Sequence, residues 1–247
     1  MKPVYSIFFH NYYGEHARWM NLFSTSVSLP ANLYYNAAES IYNSNTAAAD
    51  FSSAGGGNNQ LLTITARLSS NRGKDIGGKM LLLDSYQRLN NPSDYGLFLH
   101  DKKSLQKANN DTWAGNLLKI ASPAFSGKAI KIFEQQPAVG IIGAAGNLAD
   151  EHNHQTGQFG STNGGLLKSL QQDFAVYPST YHYITGTMFW FRMKPVIDFF
   201  NIYPPLSIRQ VLEPGNVSDD QNGTYTHCWE RLLCWIVTAQ NFTIKMI

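Results

Sequence analysis

Short apolar runs alternate with helix-spaced segments, and nearly every run closes in polar residues. No other feature of this 247-residue chain constrains its fold as much. Residues 4–9 form the first run and end in His10-Asn11-Tyr12-Tyr13. Residues 33–35 and 61–68 follow, and 95–99 ends in His100-Asp101-Lys102-Lys103-Ser104. Residues 138–142 open into a glycine-bearing turn at 143–146, and 187–191 is the last run of this kind. Between them, residues 15–28 repeat Ala17, Met20, Phe23 and Val27 at helical spacing until Pro30, and 73–90 place Ile76, Met80, Leu83 and Tyr86 or Gln87 on one face. Further helices are expected over 113–120, 126–135, 166–174 and 227–239, with loops at 43–60, 147–163 and 213–223. This alternation predicts an α/β fold: a mostly parallel central sheet flanked by helices. Ligands of such sheets lie beyond the carboxyl ends of the strands, which is where the polar punctuation collects.

Composition removes several partners. The chain is 43% hydrophobic and 15% charged, with a net charge of +2. Charge this sparse, against about 25% in an average domain, with no Lys/Arg run, gives no footprint for nucleic acid. The apolar content excludes a chain disordered throughout. No apolar stretch reaches the roughly 18 residues of a membrane span, and the first residues lack the pattern of a signal peptide. A cytoplasmic protein is expected, with peripheral contact at the inner membrane face as its only membrane association. Cys228 and Cys234 stand six apart on one helix, too few for a disulfide framework or a cysteine zinc site. They read as buried free thiols on different faces.

Three constellations carry chemistry. In Asn71-Arg72-Gly73-Lys74-Asp75-Ile76-Gly77-Gly78, a strand turns into a helix. Gly73 admits close backbone approach, the helix start favours an anion, and Arg72 and Lys74 add positive charge. Asp75 reads as a helix cap or a ligand for a hydroxyl. In the segment from His100 to Ser104, Lys102 and Lys103 suit a phosphate and oppose a cation beside Asp101. In His227-Cys228-Trp229-Glu230-Arg231, His227 and Arg231 share a helix face. Glu230 reads either as a capping carboxylate paired to Arg231 or as a general base with an orienting partner. The His152/His154 pair, lacking other ligands nearby, reads as surface.

Six segments then resemble, in order and spacing, the rhamnan synthesis protein F family of bacterial polysaccharide glycosyltransferases. They are Phe9-His10-Asn11-Tyr12-Tyr13, Asn71-Arg72-Gly73-Lys74-Asp75-Ile76-Gly77, and His100-Asp101-Lys102-Lys103-Ser104. The others are Pro137-Ala138-Val139-Gly140-Ile141-Ile142-Gly143, Gly186-Thr187-Met188-Phe189-Trp190, and His227-Cys228-Trp229-Glu230-Arg231. The resemblance implies a GT-A-like single domain over 1–247, with a nucleotide-sugar half at about 1–104 and an acceptor half at about 105–247. The apolar end at 243–247 suggests one domain of a longer protein. The implied reaction moves a deoxyhexose, L-rhamnose, from a nucleoside-diphosphate donor (dTDP- or UDP-rhamnose) to a glycan acceptor.

Donor binding is expected at His10, Asn71, Arg72, Gly73, Asp75, His100, Asp101, Lys102 and Lys103. Thr187, His227 and Arg231 are expected on the acceptor side. Glu230 is the first choice of base, and Asp220 or Asp219 the second. GT-A enzymes hold Mg²⁺ or Mn²⁺ on an Asp-x-Asp motif; His100-Asp101-Lys102 does not meet it. No metal is therefore expected to be required, and Lys102 or Lys103 with Arg72 would neutralise the departing diphosphate. The competing readings are a non-catalytic glycan- or nucleotide-sugar-binding domain of the same fold, and a metal-dependent nucleotidyltransferase.

Overall fold

The computed structural model describes residues 3–14, 16–39, 60–101, 119–218 and 222–247. A seven-stranded sheet organises them: β1 (Tyr5–Asn11), β2 (Ala31–Ala38), β3 (Leu61–Ser69), β4 (Tyr95–His100), β5 (Val139–Gly143), β10 (Phe189–Arg192) and β11 (Thr243–Met246). Their order is β11-β5-β10-β4-β1-β2-β3. All pairings are parallel except those of β10, which runs antiparallel to both β4 and β5. The expected α/β class with a mostly parallel sheet is thus observed. Small β-pairs are added by β6 (Leu148–Asp150) with β9 (His182–Ile184), and by β7 (His152–Asn153) with β8 (Gln158–Phe159). These lie largely within the segment 147–163, which the sequence pattern marks only as loop.

Among the described residues, seven α-helices flank the sheet: α1 (His16–Ser26), α2 (Lys74–Leu89), α3 (Pro123–Gln135), α4 (Gly164–Phe174), α5 (Met193–Ile202), α6 (Pro205–Arg209) and α7 (Tyr225–Thr238). Two have caps that explain where they start. Ser122 accepts the Phe125 N–H ahead of Pro123 in α3, and Thr224 accepts the His227 N–H in α7. Of the helix expected over 113–120, the described part, Lys119–Ala121, is a single 3₁₀ turn.

Every residue of β1, β2, β4 and β5 is buried, so both sheet faces are covered. Side-chain alternation sorts them into two cores. Tyr5, Ile7, Phe9, Leu33, Leu97 and Trp190 pack with Trp19 and Phe23 of α1 and Phe133 of α3. Phe8, Tyr34, Phe98, Phe189 and Phe191 pack on the other face with Met80 of α2, Leu167 of α4, Val196 of α5, Ile208 of α6 and Trp229 of α7. Cys228 and Cys234 form no disulfide and are fully buried in that second core. Among the described residues, no helix is long and apolar enough to cross a membrane.

Candidate functional site

The chain leaves β1 for β2 on one side and later places β4 on the other, so the gap between β1 and β4 is a topological switch point. Crevices of this kind receive ligands. His10 is in register with both His100 and Asn36 at the carboxyl ends of β1, β4 and β2. Each follows an aromatic of the second core (Phe8, Phe98 or Tyr34) by two positions, so all three face α2. The Asn36 amide donates to His10 Nδ1 at 2.8 Å, leaving the His10 Nε2 proton buried without a partner among the described residues. Burial pushes the His10 imidazole down to about 4; Asp75 opposes this, while Lys79 and Arg209 reinforce it. Gly78 is why α2 can sit so close: a Cβ there would lie 2.2 Å from His10 Nδ1.

The α2 helix starts from a left-handed pair, Gly73 at φ 72° and Lys74 at φ 50°, without a side-chain cap. Asp75 therefore does not cap the helix; its carboxylate turns inward and accepts the Thr187 hydroxyl. Lys79, one helical turn on and fully buried, lies 2.6 Å from Asp75 Oδ2, donates to Thr187 Oγ1 at 2.6 Å, and stands 3.4 Å from His100 Nδ1. Burial raises the Asp75 carboxyl, but Lys79, His100 and the hydrogen bonds from Lys79 and Thr187 outweigh it and hold Asp75 well below the usual carboxylate range. Because β10 is antiparallel, its beginning lies at the same edge as the ends of the parallel strands. Thr187 arrives there at φ 49°, after Gly186 at φ 80°. A β-branched residue in the left-handed region costs on the order of 1–3 kcal/mol, and such strain persists only where its surroundings over-determine it.

The same turn meets α7. Glu230 Oε1 accepts the Gly186 N–H at 2.8 Å, and Glu230 Oε2 lies 2.9 Å from Arg231 Nη1. Arg231 also donates to Glu151 Oε2 at 2.8 Å and to the His227 carbonyl at 3.0 Å, with its guanidinium 4.4 Å above the Tyr183 ring. Glu230 is thus paired to Arg231 as expected, but it does not cap α7, whose N-cap is Thr224; its carboxylate is instead held by a backbone N–H at the sheet edge. The charge of Glu230 also acts on Lys79.

The remaining candidates take different positions. Arg72 donates to the carbonyls of Gln210 (3.2 Å) and Leu212 (2.6 Å), Lys74 to that of Val217, and Asn71 to Asn216 Oδ1 at 3.0 Å. These three fasten residues 210–217 over the start of α2. Asp101 accepts the backbone N–H groups of Tyr12, at 2.8 Å, and Tyr13, pinning the turn after β1. His227 Nδ1 bonds the Thr224 hydroxyl at 2.6 Å. Lys102, Lys103, Asp219 and Asp220 lie outside the described residues. His154 pairs with Asp150 at 2.8 Å.

Four contributors escape sequence reasoning. Lys79 looks like any lysine on a helix, and Glu151 like any acid in a polar loop. Glu213, which accepts the N–H groups of Tyr225 and Thr226 at the start of α7, and Arg209, which donates to the Gly77 carbonyl at 3.1 Å, sit in segments without a motif. The only available hint was the i, i+4 spacing of Asp75 and Lys79.

No curated protein matches the chain. A family model for rhamnan synthesis protein F matches residues 6–242, which span every one of the site residues above. The chain belongs to the rhamnan synthesis protein F family.

Proposed function

We propose that this protein is a glycosyltransferase that moves a deoxyhexose, L-rhamnose, from a nucleoside-diphosphate donor such as dTDP- or UDP-rhamnose to a growing glycan. Family membership gives the coarser statement, a glycosyltransferase-related role in rhamnan synthesis. One observation supports a transfer site at this edge. At a single sheet edge, a hydrogen-bonded path runs from Asp75 at the start of α2, through Thr187 and Gly186, to Glu230 on α7. A donor-side carboxylate and a second carboxylate suited to base chemistry thus share one turn. This fits a GT-A-like division into a donor half at about 1–104 and an acceptor half at about 105–247.

In this reading the donor lies across the carboxyl ends of β1 and β4. His10 stays neutral, Asp75 stays ionised to accept donor hydroxyls, and Asp101 shapes the site by holding the Tyr12–Tyr13 turn. Glu230 takes the proton of the acceptor hydroxyl. An ionised carboxylate has about four lone-pair sites, so its bonds to Gly186 and Arg231 leave capacity for that proton and fix its direction. Lys102 or Lys103, with Arg72, neutralises the departing diphosphate. The described carboxylates at this edge fit a divalent ion poorly. Asp101 already accepts two backbone amides, and Asp75 is ion-paired to Lys79.

Glu230→Gln tests the assignment. The variant keeps the bond from Gly186 and is expected to bind donor normally while losing at least a hundredfold in turnover. Wild-type turnover with normal donor binding would remove Glu230 as the base.

A further inference from the structure

We propose that Lys79 is a positioning residue for the transfer site: through Asp75 and Thr187 it fixes the Gly186–Thr187 turn on which Glu230 is seated. The proposal rests on the reading of Glu230 given above, although its first test does not. Lys79 has no exposed surface, so its ammonium cannot touch donor or acceptor. It is nevertheless bonded to two groups from separate elements, Asp75 of α2 and Thr187 ahead of β10. The Thr187 hydroxyl donates in turn to Asp75, closing a ring of three groups around one buried charge.

The backbone adds an independent observation. Thr187 and Gly186 both sit in the left-handed region, a conformation that a threonine holds only under constraint. The bonds to Asp75 and Lys79 constrain its side chain. On the other side of the turn, Glu230 accepts the N–H that this conformation exposes. Released from Lys79, Asp75 would be a largely buried carboxylate without its cation, keeping the Thr187 hydroxyl and His100 at 3.5 Å. The charged and titratable groups around the pair are His100 of β4, His10 of β1 (which Arg209 of α6 also faces), and Glu230 and Cys234 of α7.

The test compares wild type with Lys79→Met, Lys79→Met/Asp75→Asn and Thr187→Val. Thermal unfolding is followed from pH 8 to pH 5, together with donor binding and nucleoside-diphosphate release. In Lys79→Met, Asp75 loses its cation and takes up a proton more readily. The melting-temperature gap to wild type should therefore narrow on acidification, and the double variant should abolish that narrowing. Thr187→Val keeps the shape and the ion pair but removes the hydroxyl; kcat should fall at least tenfold with donor Kd within threefold of wild type. If Lys79→Met does not fold, Thr187→Val alone decides. A gap independent of pH, or wild-type kcat in Thr187→Val while Glu230→Gln is inactive, overturns the positioning role. An active Glu230→Gln together with the predicted pH behaviour of Lys79→Met would instead refute the base assignment and leave the Lys79 clamp standing.

Discussion

Replacing Arg231 by methionine should unfold this protein more readily than almost any other single change near the site. The substitution keeps much of the aliphatic stem but strands Glu151, whose side chain is 2% exposed, without its cation 2.8 Å away. Breaking a buried pair by removing one partner costs about 3–5 kcal/mol. In a domain of this size each kcal/mol moves the melting temperature by about 2–4 °C, so a fall of about 6–20 °C is expected. Loss of the guanidinium over Tyr183 contributes to the same figure. Urea titration of Arg231→Met, Glu151→Gln and the double variant measures the coupling. Glutamine still offers an oxygen to the Ser161 N–H, which Glu151 accepts at 3.1 Å. The double variant, in which only the more exposed Glu230 lacks its cation, should therefore regain most of the loss. A destabilisation below about 1 kcal/mol for Arg231→Met, or a double variant less stable than Arg231→Met, would refute the view that a buried charge pair anchors α7 to the 147–163 segment.

Three further expectations follow from burial and packing. His10, held down to about 4 chiefly by burial, has a folded value below its unfolded one, so its contribution is fully present above about pH 6.5 and is lost as pH falls toward 4. At about 1.4 kcal/mol per unit, that is a loss of about 3 kcal/mol, and His10→Gln should flatten stability against pH in this window when urea midpoints are compared. Gly78→Ala pushes a methyl into His10 and should cost about 1–3 kcal/mol. Gly127→Ala, in mid-α3 with nothing within 4 Å, should instead stabilise by about 0.5–1 kcal/mol in the same denaturation assay.

What could be read from the chain depended on whether a residue's role is local. The apolar runs that became β1, β4 and β5 were legible because strands buried on both faces are continuously hydrophobic. The polar residues that stop them, His10 and His100, proved to be register partners at one edge. The helix predicted over 73–90 is α2, with boundaries nearly unchanged. Helices α5 and α6 were missed because Pro195, Pro204 and Pro205 break up the pattern, although proline at a helix start is well tolerated. The antiparallel sense of β10 could not be read, since periodicity carries no direction; yet that sense is what delivers Thr187 to the site. Residues 243–246 form the edge strand β11 beside β5. Arg72 and Lys74 were legible as positive charge, but their bonds to the carbonyls of residues 210–217 depend on contacts nearly 140 residues apart. Lys79 and Glu151 became visible only once their buried partners were in place.

The most direct test of the account is turnover itself. The protein is incubated with a panel of nucleoside-diphosphate sugars and a glycan acceptor, with and without EDTA, and released nucleoside diphosphate is measured. A nucleoside-diphosphate deoxyhexose is expected to give release that EDTA leaves unchanged and Glu230→Gln abolishes. Donor binding without turnover, or turnover that EDTA eliminates, would contradict it.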